Sequence, residues 1–233
     1  MWSSCDAAPL MLDWSYRLSD FLLFSPRVYW RMFELHNQAL WPLPLATLVL
    51  GIAALACAIL RPRQSERSVA ILLAMAWAWV GWSFVWERYA TINWTAAYAA
   101  PLFAIEALLL VIVGLNRLSF EPRGARGGGG VVLVTLALAH PLLAPLFGRP
   151  WQGAEFFGIV PDPTAIATLG FLLMARGRAV LLLYPIPLLW CLMSSLTLWA
   201  MEDAQAWAPA VALAVLALAN LFGTRRATSP SQR

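Results

Sequence analysis

The sequence contains no lysine, two histidines and three cysteines, and charged side chains make up only 12% of its 233 residues. Each shortage removes a class of function. Soluble domains are about a quarter charged, and a soluble chain of this length cannot hide an apolar fraction of 61% from water. A soluble enzyme, a nucleic-acid-binding module and a disordered chain are all excluded on that ground. A membrane zinc hydrolase normally takes three protein ligands, usually histidine-rich. Here His36 and His140 are the whole supply, and no HExxH motif is present. Bis-histidine haem ligation would consume both from very different depths. Cys5, Cys57 and Cys191 form no CxxC pair and read as small hydrophobes. Ser194–Ser195 lacks a GxSxG context and reads as a helix–helix hydrogen-bonding pair. No cofactor is called for, and no signal peptide is expected at Met1–Leu12.

What is present in abundance is long apolar runs, and the mean hydropathy is +0.69. A helix crosses ~30 Å of hydrocarbon with about 20 residues. Six runs qualify: Ala39–Leu60, Ser68–Val85, Ala97–Leu115, Val131–Phe147, Ala179–Met201 and Ala204–Phe222. A seventh, Phe156–Ala175, is broken by Pro161, Asp162 and Pro163 and is short for a crossing. The fold class is therefore an all-α polytopic bundle of about seven spans, the fifth short and Pro-broken. The chain reads as one integral membrane domain: an N-terminal tail over 1–38, a bundle over 39–222 and a cytoplasmic tail over 223–233.

All sixteen basic residues are arginine, which suits a GC-rich bacterial genome. Their positions set the orientation. With seven spans, 11 arginines fall inside and 5 outside, whereas failure of the broken segment to cross would invert the bias. The positive-inside rule then places the N-terminus outside and the C-terminus in the cytoplasm of a bacterial inner membrane. Acids and tryptophans gather at the opposite, outer end, where indole rings suit the headgroup layer. The inner loops RPRQSER and EPRGARGGGG and the tail TRRATSPSQR are expected to meet anionic lipid headgroups, the second of them as a flexible linker. Within the tail, Ser25-Pro26 offers a helix start. Val28, Tyr29, Met32, Phe33, His36 and Leu40 then recur at helical spacing, which predicts an amphipathic interfacial helix; the alternative is a lid over an outward-facing cavity.

Ionisable groups inside a bilayer are functional candidates by default. Glu106 and His140 lie at similar depths on consecutive spans, so a direct or water-mediated pair is expected, set against purely structural polar roles for both. A second constellation sits on the outer rim: Glu87, Arg88, Asn93 and Trp94 in one short loop, with Glu155, Asp162 and Thr164 around the break. Asp162 before Pro163 predicts an N-cap, and broken helices mark transporter sites. One composite of His140, Glu106, Glu87 and Asp162 would hold a metal.

The strings YRLSDFLLFSPR, RYATINW and FGIVPDPTAIATLG resemble a bacterial family of multi-pass membrane proteins classified only as a domain of unknown function. The resemblance implies membrane location and fold, and no catalytic residue. The functional expectation is a transporter, or a protein binding a ligand or small ion, with an outward-facing acidic, tryptophan-rimmed mouth. The alternative is a non-catalytic subunit or sensor acting through the Ala-rich face of Ala204–Ala219; an intramembrane metal enzyme ranks last. No nucleic-acid partner is expected.

Overall fold

The computed structural model describes residues 22–60 and 65–227, with side chains left undescribed at 116–117 and 222–227. Residues 1–21, the segment 61–64 with Arg61 and Arg63, and residues 228–233 lie outside this range. The chain is all-α apart from one two-residue ladder. In order come α1 (Pro26–Leu40), α2 (Leu43–Leu60), α3 (Ser65–Val80), which runs on as a π-helical stretch at Gly81–Tyr89, and α4 (Ala90–Ile92). After a 3₁₀ turn at Trp94–Tyr98 follow α5 (Ala100–Arg117), β1 (Ser119–Phe120), α6 (Gly124–Ala139) and the short α7 (Leu143–Leu146). The last third holds α8 (Pro161–Met174), β2 (Ala175–Arg176), α9 (Pro185–Ala200) and α10 (Trp207–Ala227). Prolines open α1, α5, α8 and α9, where a missing N–H costs nothing.

Among the described residues, five helical stretches are long and apolar enough to cross a membrane: Leu43–Leu60, Ser65–Ile92, Trp94–Leu115, Gly124–Leu146 and Arg178–Ala200. Trp207–Leu221 is a shorter apolar helix. The expected fifth span takes another form. Residues 154–160 are buried but not helical, and α8 adds 14 residues, about 21 Å. Every residue of α8 is buried. A helix apolar on all sides belongs in the interior, and α8 is the axis on which α3, α6, α9 and α10 pack.

The α6–α8 contact explains the Gly-rich run that reads as a flexible linker in the sequence. It is helical, because its glycines are close-packing positions. A Cβ on Gly170 would lie 2.7 Å from Val134 Cγ2 and 2.8 Å from the Gly130 carbonyl, and one on Gly129 would lie 2.7 Å from Ala219. Small residues let helix backbones approach where no hydrophobic force separates lipid from partner. The register runs antiparallel, with Gly130 against Gly170 and Met174, so α8 begins level with His140 and ends level with the first turns of α6. The Ala-rich face of α10, expected to serve a partner, is spent inside the molecule: Ala212, Leu216 and Ala219 are buried against the bundle.

Helix α1 forms as its sequence predicts, with Ser25 accepting from Val28 N. Its apolar face, however, covers protein. Tyr29, Met32, Phe33, His36 and Asn37 are all buried, Phe33 against Phe84 and Tyr29 against Tyr89. The helix closes over the non-helical segment leading to α8. Gly158, at φ +71° in that segment, adopts the left-handed conformation, and a Cβ there would also sit 3.4 Å from Thr47. Gly158→Ala is expected to cost about 1–2 kcal/mol, read as a lower unfolding midpoint in mild detergent.

Candidate functional site

The break before α8 leaves backbone groups that need partners, because non-helical backbone at membrane depth survives only when satisfied within the protein. Thr164 and α1 supply them. Thr164 Oγ1 accepts from Gly158 N at 2.9 Å and donates to the Val160 carbonyl at 2.7 Å. Asn37 Nδ2 donates to the Gln152 and Ala154 carbonyls, both at 2.7 Å. His36 hydrogen-bonds to the backbone of Ile159. Further down, Trp77 Nε1 donates to Thr168 Oγ1 at 2.9 Å, and Thr168 returns its hydroxyl to the Thr164 carbonyl.

Asp162 is freed from the capping role that its sequence position predicts, since Val160 is the N-cap of α8. Its carboxylate instead accepts from Trp190 Nε1 at 2.7 Å and from Ser194 Oγ, one turn apart on α9. His140, 6% exposed, falls within electrostatic range of Asp162, and neither of its ring nitrogens has a hydrogen-bond partner.

Toward α1, Arg149 joins four segments. Its guanidinium donates to the Gly153 carbonyl at 3.1 Å and to Gln205 Oε1 at 2.6 Å, lies 3.4 Å over the Trp30 ring, and faces Glu155 at 3.7 Å. Trp30 in turn donates to Asp203 at 2.8 Å. Glu155 is 4% exposed. Burial pushes its carboxyl up to about 7, with Arg149 opposing and Asp203 adding to the rise. His36 is lowered to about 4, by burial first and by the Arg88 charge second, against its bond to Ile159.

Against this site lies an open cavity of about 260 Å³ between the Trp94–Tyr98 turn, α5 and α9. Five aromatic residues line it (Tyr29, Tyr89, Tyr98, Phe103 and Trp190), together with Asn93 and Ser194. Trp190 and Ser194 thus have two faces: one borders the cavity, the other binds Asp162. Among the described residues, no arginine borders the cavity.

Of the residues expected from sequence, His140, Glu155, Asp162 and Thr164 belong to this one buried assembly, and Asn93 borders the cavity. Arg88 reaches it only through its field on His36. Glu87 and Trp94 are exposed on the surface. Glu106 lies elsewhere. It is fully buried on α5, with neither oxygen hydrogen-bonded among the described residues. No direct hydrogen bond joins Glu106 to His140; α5 packs mainly on α3 and α6 on α8. The composite metal site fails for the same reason. Among the described residues, no group of three or more His, Cys, Asp or Glu side chains is placed to hold a metal. Glu106→Ala and His140→Ala are therefore expected to add within about 0.3–0.5 kcal/mol in a double-mutant cycle on thermal stability.

Tyr29, Arg149 and Trp190 were not legible as site residues. Trp190 and Ser194 do stand at i, i+4, a spacing that puts both on one helix face, but their acceptor comes from 28 or more residues away.

The chain belongs to a family of unknown function, DUF6064, whose model matches residues 26–231. The match takes in α1 and every element of the bundle. No curated protein and no solved structure matches the chain.

Proposed function

We propose that the chain is a multi-pass membrane protein that takes a small organic cation from the outer side into the aromatic cavity beside Asp162, as a transporter or as a binding protein. The observation that carries this reading is the layering at α9. A cavity walled by five aromatic rings and bordered by no arginine stands one residue layer from a buried carboxylate. Aromatic faces attract ammonium groups, by about 2 kcal/mol when desolvated. A carboxylate behind them favours a cation over a neutral solute of the same shape. The volume suits a ligand at the small end of the usual range, such as a short primary or quaternary amine. The discontinuous α8 supports a transport role, since broken helices at mid-depth accompany substrate sites in transporters.

The positive-inside bias supports an orientation with α1 and the cavity outside. Eight exposed tryptophans, among them Trp41, Trp82, Trp94, Trp151, Trp199 and Trp207, suit an outer interfacial belt. Under this orientation α8 completes a crossing together with residues 156–160. Cysteines introduced at Gln152 and Ser229 should then label from opposite sides of the membrane; labelling from one side contradicts seven crossings.

The ligand class is tested by a thermal-shift comparison in mild detergent. Tetramethylammonium should raise the unfolding midpoint, while tert-butanol, of similar shape, and acetate should not. Equal responses to the ammonium ion and the alcohol would reduce the cavity to a non-specific apolar cleft.

A further inference from the structure

The end of the bundle opposite α1 carries a second site of opposite sign. The chain leaves α8 through the β1–β2 ladder, in which Ser119 pairs with Arg176 and Phe120 with Ala175, and Glu121 N donates to the Met174 carbonyl. Gly177, at φ +119°, then turns the backbone so that Arg176 and Arg178 flank an open floor. Two adjoining cavities of about 410 and 350 Å³ meet there, sharing Arg126, Ala175 and Gly177. Four arginines line them: Arg123, Arg126, Arg176 and Arg178. Among the described residues the one acid is Glu121, and it is already paired with Arg176 at 2.6 Å. Among the described residues Arg126 Nε is buried with no hydrogen-bond partner, while the Tyr184 hydroxyl faces the same guanidinium. Arg123 and Arg126 belong to the start of α6, which has no side-chain cap, so amides of its first turn add to the positive field.

We infer that this arginine-lined double cavity binds a phosphate oxyanion, carried either by an anionic lipid headgroup or by a soluble phosphate. Three arginines without an acidic partner in the cavity, a buried guanidinium N–H awaiting an acceptor and an uncapped helix start are complementary to a compact anion of one or two charges. Arginine forks bind phosphate with paired, charge-assisted hydrogen bonds. The inference is independent of the cation site, which lies at the other end of α8.

The test follows the unfolding midpoint of the full chain in dodecyl maltoside at constant ionic strength. The probes are dioctanoyl phosphatidylglycerol, dioctanoylglycerol, which has the same chains without phosphate, and sodium phosphate. Phosphatidylglycerol should stabilise the protein and dioctanoylglycerol should not. Arg126→Gln and Arg178→Gln should each raise the half-maximal concentration about tenfold, as expected for losing one charge-assisted contact. Arg178 is exposed, so its variant keeps the fold and the comparison remains decisive if Arg126→Gln does not fold. An equal, arginine-dependent response to sodium phosphate supports the site and assigns it to a soluble oxyanion. Equal shifts with dioctanoylglycerol, no shift with either phosphate, or shifts untouched by Arg178→Gln would overturn it.

Discussion

Asn37→Leu is expected to destabilise the folded chain by about 1–3 kcal/mol, chiefly from stranding the buried Ala154 carbonyl. Leucine is close in size, so little of this comes from lost volume. The Ala154 carbonyl, which now accepts from Asn37 Nδ2, would remain buried beneath α1 without a donor, while the part-buried Gln152 carbonyl would turn to water. Neighbouring Gln38 is exposed, and Gln38→Leu should change stability by no more than about 0.5 kcal/mol. A fall in unfolding midpoint confined to Asn37→Leu identifies α1 as the element that satisfies the broken span. Equal effects at the two positions would make α1 a simple surface helix.

The second large effect is on pH dependence. Glu155 moves from an ordinary carboxyl value of 4.5 to about 7 in the fold. Between those limits the folded state holds a proton that the unfolded state has lost, so this group's contribution falls as pH rises from about 4.5 to 7. His36 moves from 6.5 down to about 4. There the unfolded state binds the extra proton, so its contribution rises with pH between about 4 and 6.5. Each swing is about 3.5 kcal/mol at about 1.4 kcal/mol per pH unit, and in the wild type the two oppose each other. Glu155→Gln should leave stability rising more steeply with pH over this window than in the wild type, and His36→Phe should make it fall. Arg149 and Asp203 also act on Glu155, and Arg88 on His36, so the informative quantity is each variant's curve minus the wild-type curve. Flat difference curves would remove both groups from the titrating assembly.

Apolar run lengths and proline positions made the helices readable. α1 and its Ser25 cap, the long apolar helices and the break at Pro161–Pro163 all follow from local sequence, because helix starts and apolar periodicity are local properties. Tertiary packing decided the rest. The glycines of 127–130 look like linker until Gly170 and Ala219 arrive against them. The apolar stripe of α1 looks membrane-facing until the buried segment 154–160 needs a cover. In the site, Glu155, Asp162 and Thr164 were legible because they cluster around a visible break. Arg149 and Trp190 were not, because their partners come from elements distant in sequence. Glu106 drew attention as a charge in an apolar run, but no local signal shows which helix it faces.

The central claim, a cation site backed by Asp162, is tested most directly by calorimetric titration of tetramethylammonium into the purified chain and into its Asp162→Asn variant. Asparagine keeps the shape and an acceptor for Trp190, can donate its amide to the Ser194 hydroxyl, and removes the charge. One ligand per chain should bind the wild type, and the variant should bind about a hundredfold more weakly, on the order of 2.8 kcal/mol. Equal affinity for the two proteins, or no binding to a folded wild type, would contradict the account.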